Sequence, residues 1–243
     1  VALYREEAVV LRTYRLGEAD RIVVLLTSQR GKVRAVAKGV RKTGSRFGGR
    51  LEPASHVNLL LYEGRQLDVV SQADTVEHFA PLRSDLRRAR DSLALLEATD
   101  HVAQEGAADR PLFVMLTAAL RTLAERPSPL LVAAYYWKLL AHDGSAPMLD
   151  ACVRCGGNGP FVALDPTEGG VLCRGCLPTG GARRAVHPEA LELLRRVGSG
   201  GLAGALAAPA GPAVAEATDI ATHALEAHLE RRLRVPRLLE RGG

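Results

Sequence analysis

No stretch of this sequence approaches the roughly 20 consecutive apolar residues that a membrane-crossing helix needs, although 47% of its residues are apolar. A spanning helix is therefore excluded. Val1 to Glu7 also lack the apolar centre of a secretory signal, so the expected location is the cytoplasm. Motifs that would mark an enzyme are missing as well. The chain has no Gly-x-x-x-x-Gly-Lys-Ser/Thr loop for nucleoside phosphates, no His-Glu-x-x-His, no Gly-x-Ser-x-Gly, and no motif of clustered carboxylates for divalent cations. The expectation is a protein that binds rather than catalyses. Aromatic residues are scarce, with one tryptophan, five tyrosines and four phenylalanines in 243 residues, which turns the search for a binding surface toward charge. Acidic residues, finally, are absent from one long segment. Between Ser28 and Arg50 the ionisable side chains are Arg30, Lys32, Arg34, Lys38, Arg41, Lys42, Arg46 and Arg50, eight positive charges without an Asp or Glu among them. The rest of the chain is nearly balanced and the formal net charge is +5. Ordinary soluble surfaces intersperse both signs, so this run reads as a surface for a polyanion, nucleic acid first, with a solvated charged face as the alternative.

The first eighty residues carry strand patterns. Ala8 to Arg12, Arg21 to Thr27, Lys32 to Lys38, His56 to Glu63 and Leu67 to Glu77 are short apolar or alternating runs, and Gly64 is a candidate hairpin turn. In the third run Val33, Ala35 and Ala37 alternate with Lys32, Arg34, Val36 and Lys38. A strand sends alternate side chains to opposite faces, so the cations share one side and the other side faces a core. Five short strands in this length suggest a small barrel. Beyond Pro81 the period becomes helical. Leu86, Ala89, Leu93 and Leu96 form one stripe after a cap at Ser84. Phe113, Leu116, Leu120 and Leu123 form a second, and Leu130, Ala133, Trp137 and Leu140 a third, entered through Ser128-Pro129. Three packed helices are the economical reading. A further helix is expected after His187-Pro188, with Leu191 and Leu194 inward. Gly198 to Pro212 reads as a flexible linker, and a last helix is expected over Ala213 to Arg232 on Ala217, Ala221, Leu225 and Leu229.

The four cysteines form two Cys-x-x-Cys pairs, Cys152 with Cys155 and Cys173 with Cys176, separated by seventeen residues. That spacing matches structural zinc sites. Each pair lets a tight turn aim two sulfurs at one point about 2.3 Å away, and two turns complete a tetrahedron. Gly156 and Gly175 are expected to supply the unusual backbone angles of those turns. Two disulfides are the first alternative, disfavoured in a reducing compartment. An iron–sulfur cluster is the second, with spacings usually unlike this one. A redox pair of the thioredoxin kind would need a βαβ pattern, which is not visible. Four sulfur ligands leave no open position, so one zinc ion here would be structural. His187, His223 and His228 are not needed as ligands and are expected to be solvated.

One further pattern runs through the N-terminal part: Arg12, Gly17-Glu18-Ala19-Asp20-Arg21-Ile22-Val23, Leu26-Thr27, Gly31-Lys32, Ala35 to Lys42, Ser45-Arg46 and Leu51-Glu52-Pro53. It resembles the N-terminus of the bacterial recombination and repair family RecO. The resemblance implies an α+β multidomain chain. An N-terminal five-stranded OB-fold barrel that binds nucleic acid would occupy residues 1–81, a helical domain 82–149, an inserted four-cysteine zinc module 150–178, and C-terminal helices completing the helical domain 179–243. It implies binding of single- and double-stranded DNA, annealing of complementary strands, and loading of the recombinase RecA onto strands coated by single-strand-binding protein, together with the partner RecR, in the cytoplasm at the nucleoid. Lys32, Arg34, Lys38, Arg41, Lys42 and Arg46 are the expected phosphate contacts. If each neutralises one phosphate, log affinity for single strands falls with log salt at a slope of about −4, with weak sequence preference. Arg12, Arg15 and Arg21 either extend this surface or pair with Glu18 and Asp20. An RNA-binding module with a barrel and a zinc ribbon, or a protein-docking scaffold, are the competing classes.

Overall fold

The computed structural model describes residues 2–45, 47–177 and 184–235. Contacts divide the chain into two compact units, Val1–Arg126 and Pro127–Gly243.

In the first unit, strands β1 (Leu3–Leu16), β2 (Asp20–Thr27), β3 (Gly31–Ala37), β4 (His56–Tyr62) and β5 (Asp68–Glu77) close into a barrel in the order β1-β2-β3-β5-β4. All neighbours are antiparallel except β3 and β5. The five expected strands are all present, the first longer than its apolar run. Ala8, Val10, Val23, Leu25, Ala35, Leu59 and Leu61 fill the interior, and Phe47 and Leu51 reach into it from the loop before β4. Gly64 is required in its turn, since a Cβ there would lie 1.9 Å from the Leu67 carbonyl oxygen. The outward residues Val24 and Leu26 are buried too, because helices α2 (Leu86–Val102) and α3 (Arg110–Glu125) lie against β1 and β2. Burial on both faces explains why Ile22 to Leu26 is apolar without alternation.

The helix α1 (Pro81–Ser84) precedes α2, and two expectations are corrected there. The cap of α2 is Asp85, which accepts from the Arg88 backbone N–H at 2.9 Å, not Ser84, whose hydroxyl donates to the Ala80 carbonyl. The buried stripe is also rotated. Leu86 is 87% and Leu93 45% exposed, and the inward face is Ser92, Leu95, Leu96 and Thr99. The hydroxyls of Ser92 and Thr99 donate to the carbonyls of Ala89 and Leu95, so polar residues sit inside without an unpaired donor. In α3 all four expected residues, Phe113, Leu116, Leu120 and Leu123, are buried.

The second unit contains α4 (Leu131–His142), a sheet of β6 (Phe161–Asp165), β7 (Gly170–Cys173) and β8 (Arg184–Ala185) in the order β7-β6-β8, and helices α5 (Pro188–Gly198), α6 (Leu202–Leu206) and α7 (Pro212–His228). The expected trio of helices resolves differently: α2 packs on α3, whereas α4 packs on α5 and α7. Ser128 accepts from the Leu130 N–H ahead of α4. Leu191 and Leu194 face inward on α5, and Ala217, Ala221 and Leu225 on α7. The segment Gly198 to Pro212 is not wholly linker, because α6 lies within it and Ala205 is fully buried.

Candidate metal centre and nucleic-acid surface

The cysteine pairs are brought together by short-range hydrogen bonds. Cys152 donates its N–H to the Gly157 carbonyl at 2.8 Å, and its own carbonyl accepts from Gly156 at 2.8 Å. Gly156 turns there at φ +71°, a region that favours glycine. Gly175 plays no such part: its φ is not positive, and the second pair is carried by β7 and the single tight turn Arg174–Cys176. Gly170 is the glycine that sequence reasoning missed. A Cβ on it would meet the Met148 carbonyl oxygen at 2.5 Å and Val153 at 2.6 Å, so it permits the first pair to close against β7. Val153 completes that closure by donating to the Val171 carbonyl.

The four sulfurs lie within 4.8 Å of one another, and those of Cys155 and Cys173 are 3.8 Å apart. A tetrahedron with metal–sulfur bonds near 2.3 Å has edges of about 3.8 Å. Four thiols so close cannot all ionise without a cation between them. Hydrogen bonds with Cys155 and Cys173 push the Cys176 thiol up to about 12, whereas the Cys173 backbone N–H draws Cys152 down to about 6. The donor set therefore fits a soft divalent cation. Arg154, inside the first pair, forms a two-pronged ion pair with Glu168 on the β6–β7 turn and donates to the Cys176 carbonyl at 3.4 Å. It ties the two halves of the site together. No histidine joins the cluster among the described residues: His187 caps α5, His223 bonds the Asp219 carbonyl, and His228 bonds Asp143.

On the barrel, the cations expected to contact phosphate divide by partner. Arg34, Lys38, Lys42 and Arg15 are exposed and form no ion pair among the described residues. Arg41 is exposed and donates to the Gly17 and Glu18 carbonyls at 3.3 and 2.8 Å, contacts that leave its charge unopposed by any carboxylate among the described residues. The loop after β3 is laced to the β1–β2 turn by that arginine, by the Arg41 N–H on the Ala19 carbonyl, and by Asp20, which accepts from the Gly39 N–H at 2.7 Å. Asp20 is thus a loop anchor, not a partner for Arg12, Arg15 or Arg21.

Three cations are engaged elsewhere. Arg21 pairs with Glu52 at 2.6 Å. Lys32, only 16% exposed, donates to the Asp100 carbonyl at 2.6 Å and lies 3.5 Å from its carboxylate. Arg12 holds the other carboxylate oxygen of Asp100 at 2.8 Å. Asp100 is buried on the inward face of α2, a role the sequence reading missed; the available signal was an acid four residues beyond Leu96 on an apolar helix face. Arg46 lies outside the described residues. Also unforeseen is the packing of His56, whose ring nitrogens lie 2.8 Å from Glu7 and 3.4 Å from Glu77 and whose ring stacks near Phe79 and meets Phe113 edge-on. Glu77 in turn holds Arg121 of α3 through two bonds of 2.8 Å, so this chain of contacts locks β1, β4 and β5 to the helix.

Comparison with known proteins agrees with this layout. The family described as "Recombination protein O N terminal" matches residues 1–79, and "Recombination protein O C terminal" matches residues 83–237. The chain is 46% identical over 243 residues to "DNA repair protein RecO" of Frankia casuarinae, covering 98% of this chain and 99% of that protein. With both halves matched and an OB-like barrel leading the chain, this protein belongs to the RecO family of DNA repair and recombination proteins.

Proposed function

We propose that this protein is a non-catalytic recombination mediator that binds single- and double-stranded DNA without sequence specificity. It anneals complementary strands and helps load RecA onto strands coated by single-strand-binding protein, in concert with RecR, at the nucleoid. The observation that carries this reading is the group Arg15, Arg34, Lys38, Arg41 and Lys42, exposed at one region of the barrel and opposed by no carboxylate among the described residues. Phosphate contacts of this kind fix a strand in place without reading it, and they leave pairing edges free for annealing. Arg12, Lys32 and Arg21 contribute by shaping this surface, while Arg46 extends the same basic run. Five phosphate contacts give a slope of log affinity against log salt of about −3.5 on single strands.

The four cysteines hold one structural zinc ion in this proposal. Zinc supplies the cross-link that the module's small apolar cluster, Cys152, Ala163 and Leu172, is too slight to provide. The test of the mediator reading is a strand-annealing assay at several salt concentrations, with naked strands and with strands coated by single-strand-binding protein. Salt-sensitive annealing of both substrates, lost on neutralising Lys38, Arg41 and Lys42 together, is expected. Annealing that survives the triple substitution unchanged would overturn the assigned surface, and preferential competition by RNA would favour a different class of nucleic acid.

A further inference from the structure

The register of the first three strands aligns a row of side chains that electrostatics leaves unused. Tyr14 on β1 faces Ile22 on β2, and Ile22 faces Val36 on β3. Facing residues of neighbouring strands project to the same side of a sheet, and the alternate residues Val23 and Ala35 fill the barrel interior. Tyr14, Ile22 and Val36 therefore share the outer face. The adjacent row in register is Arg12, Val24 and Arg34, which sets a guanidinium beside each end of the apolar row. Tyr14 is 41% exposed, so its ring is not used to fill the core.

The ring is also held. The Arg12 guanidinium lies over it, 4.9 Å from its centroid, a cation–π distance. Arg12 is itself fixed by the buried Asp100 carboxylate at 2.8 Å. A supported aromatic surface on the same outer face as Arg34, which lies two strands away and has no carboxylate partner among the described residues, has the chemistry of a single-strand site: a flat π-face for a base and a cation for a backbone phosphate. Only an unpaired base can present its face there, because bases in a duplex are already stacked on one another.

We infer that Tyr14 is a stacking platform for one base of a single strand, with Arg12 and Asp100 as positioning residues for its ring and Arg34, two strands away on the same face, as a phosphate contact farther along the strand. This rests on the reading of the barrel as the DNA-binding part and deepens it. It gives single strands a contact that duplexes lack, and it assigns Arg12 to the ring instead of to a phosphate.

The test is a fluorescence-anisotropy titration of the full chain at several salt concentrations with three probes: a thymidine strand, an abasic strand of the same length, and a duplex. The variants are Tyr14→Leu, which keeps apolar bulk on the strand, and Tyr14→Phe, which keeps the π-face. Tyr14→Leu is expected to weaken binding of the thymidine strand by about 5- to 100-fold, with abasic and duplex affinities and the salt slope unchanged, and Tyr14→Phe to bind like the native chain. Undiminished thymidine binding by Tyr14→Leu, or an equal loss on all three probes, overturns the platform while leaving the phosphate surface standing. Failure of the native chain to bind any probe overturns the phosphate reading and the platform with it.

Discussion

Asp100 engages two of the cations around the barrel. Its carboxylate is buried and holds Arg12 on one oxygen, with Lys32 near the other. Breaking a buried pair leaves uncompensated charge behind, at a typical cost of about 3–5 kcal/mol. Asp100→Ala is therefore expected to lower unfolding stability by about 3 kcal/mol, because it strands Lys32, only 16% exposed, and Arg12→Ala by about 1 kcal/mol, because Lys32 still neutralises the carboxylate; urea titration compares the two. A larger loss for Arg12 than for Asp100 would contradict this order. Gly31 is the second residue whose identity is fixed by its neighbours. It turns at φ +67°, and a Cβ on it would lie 1.9 Å from the Ala107 carbonyl oxygen, where the loop after α2 runs against β3. Gly31→Ala is expected to cost about 2–4 kcal/mol, read as a lowered urea midpoint with unchanged slope. The exposed cations were legible from a run without Asp or Glu, and for Arg34 also from the period of two that fixes which side of β3 it takes. Asp100 was not: a single acid in an apolar stripe looks the same whether it faces water or a pair of cations brought from strands far earlier in the chain.

At the scale of elements, α2 and β3 show opposite outcomes for one kind of reasoning. Alternation in β3 correctly separates the inward Ala35 and Ala37 from the outward Arg34. In α2 the leucines alone do not mark the inward face, because Ser92 and Thr99 join Leu95 and Leu96 there with their hydroxyls satisfied within the helix, while Leu86 is left in solvent. The lock between the barrel and α3 is an element-scale device with a pH signature. Two hydrogen bonds from Arg121 hold the Glu77 carboxyl below its ordinary value of 4.5, overcoming the opposing effect of burial, with His56 adding to the shift. A lowered carboxyl stabilises the fold above its unfolded-state value and loses that contribution as the pH falls through the lowered one. Glu77→Gln is thus expected to cost about 1–2 kcal/mol at pH 7 and progressively less below about pH 4.5. Urea unfolding of both proteins across that range is the measurement, and a difference that grows on acidification would refute the assignment.

The whole molecule is built as two units, and stability should divide accordingly. The proposed zinc belongs entirely to the unit Pro127–Gly243. Chelation, or Cys152→Ser, is expected to reduce metal content from one ion per chain and to lower the melting of that unit. The barrel unit Val1–Arg126 contains a core of its own and every exposed cation of the proposed DNA surface, so residues 1–126 expressed alone are expected to bind single strands with a slope near that of the full chain. Calorimetry and anisotropy, run on the same preparations, read the two outcomes separately.

The sequence by itself determined the five strands, the side of β3 that bears charge, the helices α3, α5 and α7, and the cysteine set. Each of these follows from a local period or a fixed spacing, which a linear chain displays openly. Only the tertiary structure decided that Asp100 claims Arg12 and Lys32, that Asp20 anchors Gly39, that Gly170 and not Gly175 shapes the metal site, and that Tyr14 stands in register with Ile22 and Val36. Those are contacts between residues far apart in the chain, and a charge or a ring acquires its role from the neighbour that closure of the fold brings to it.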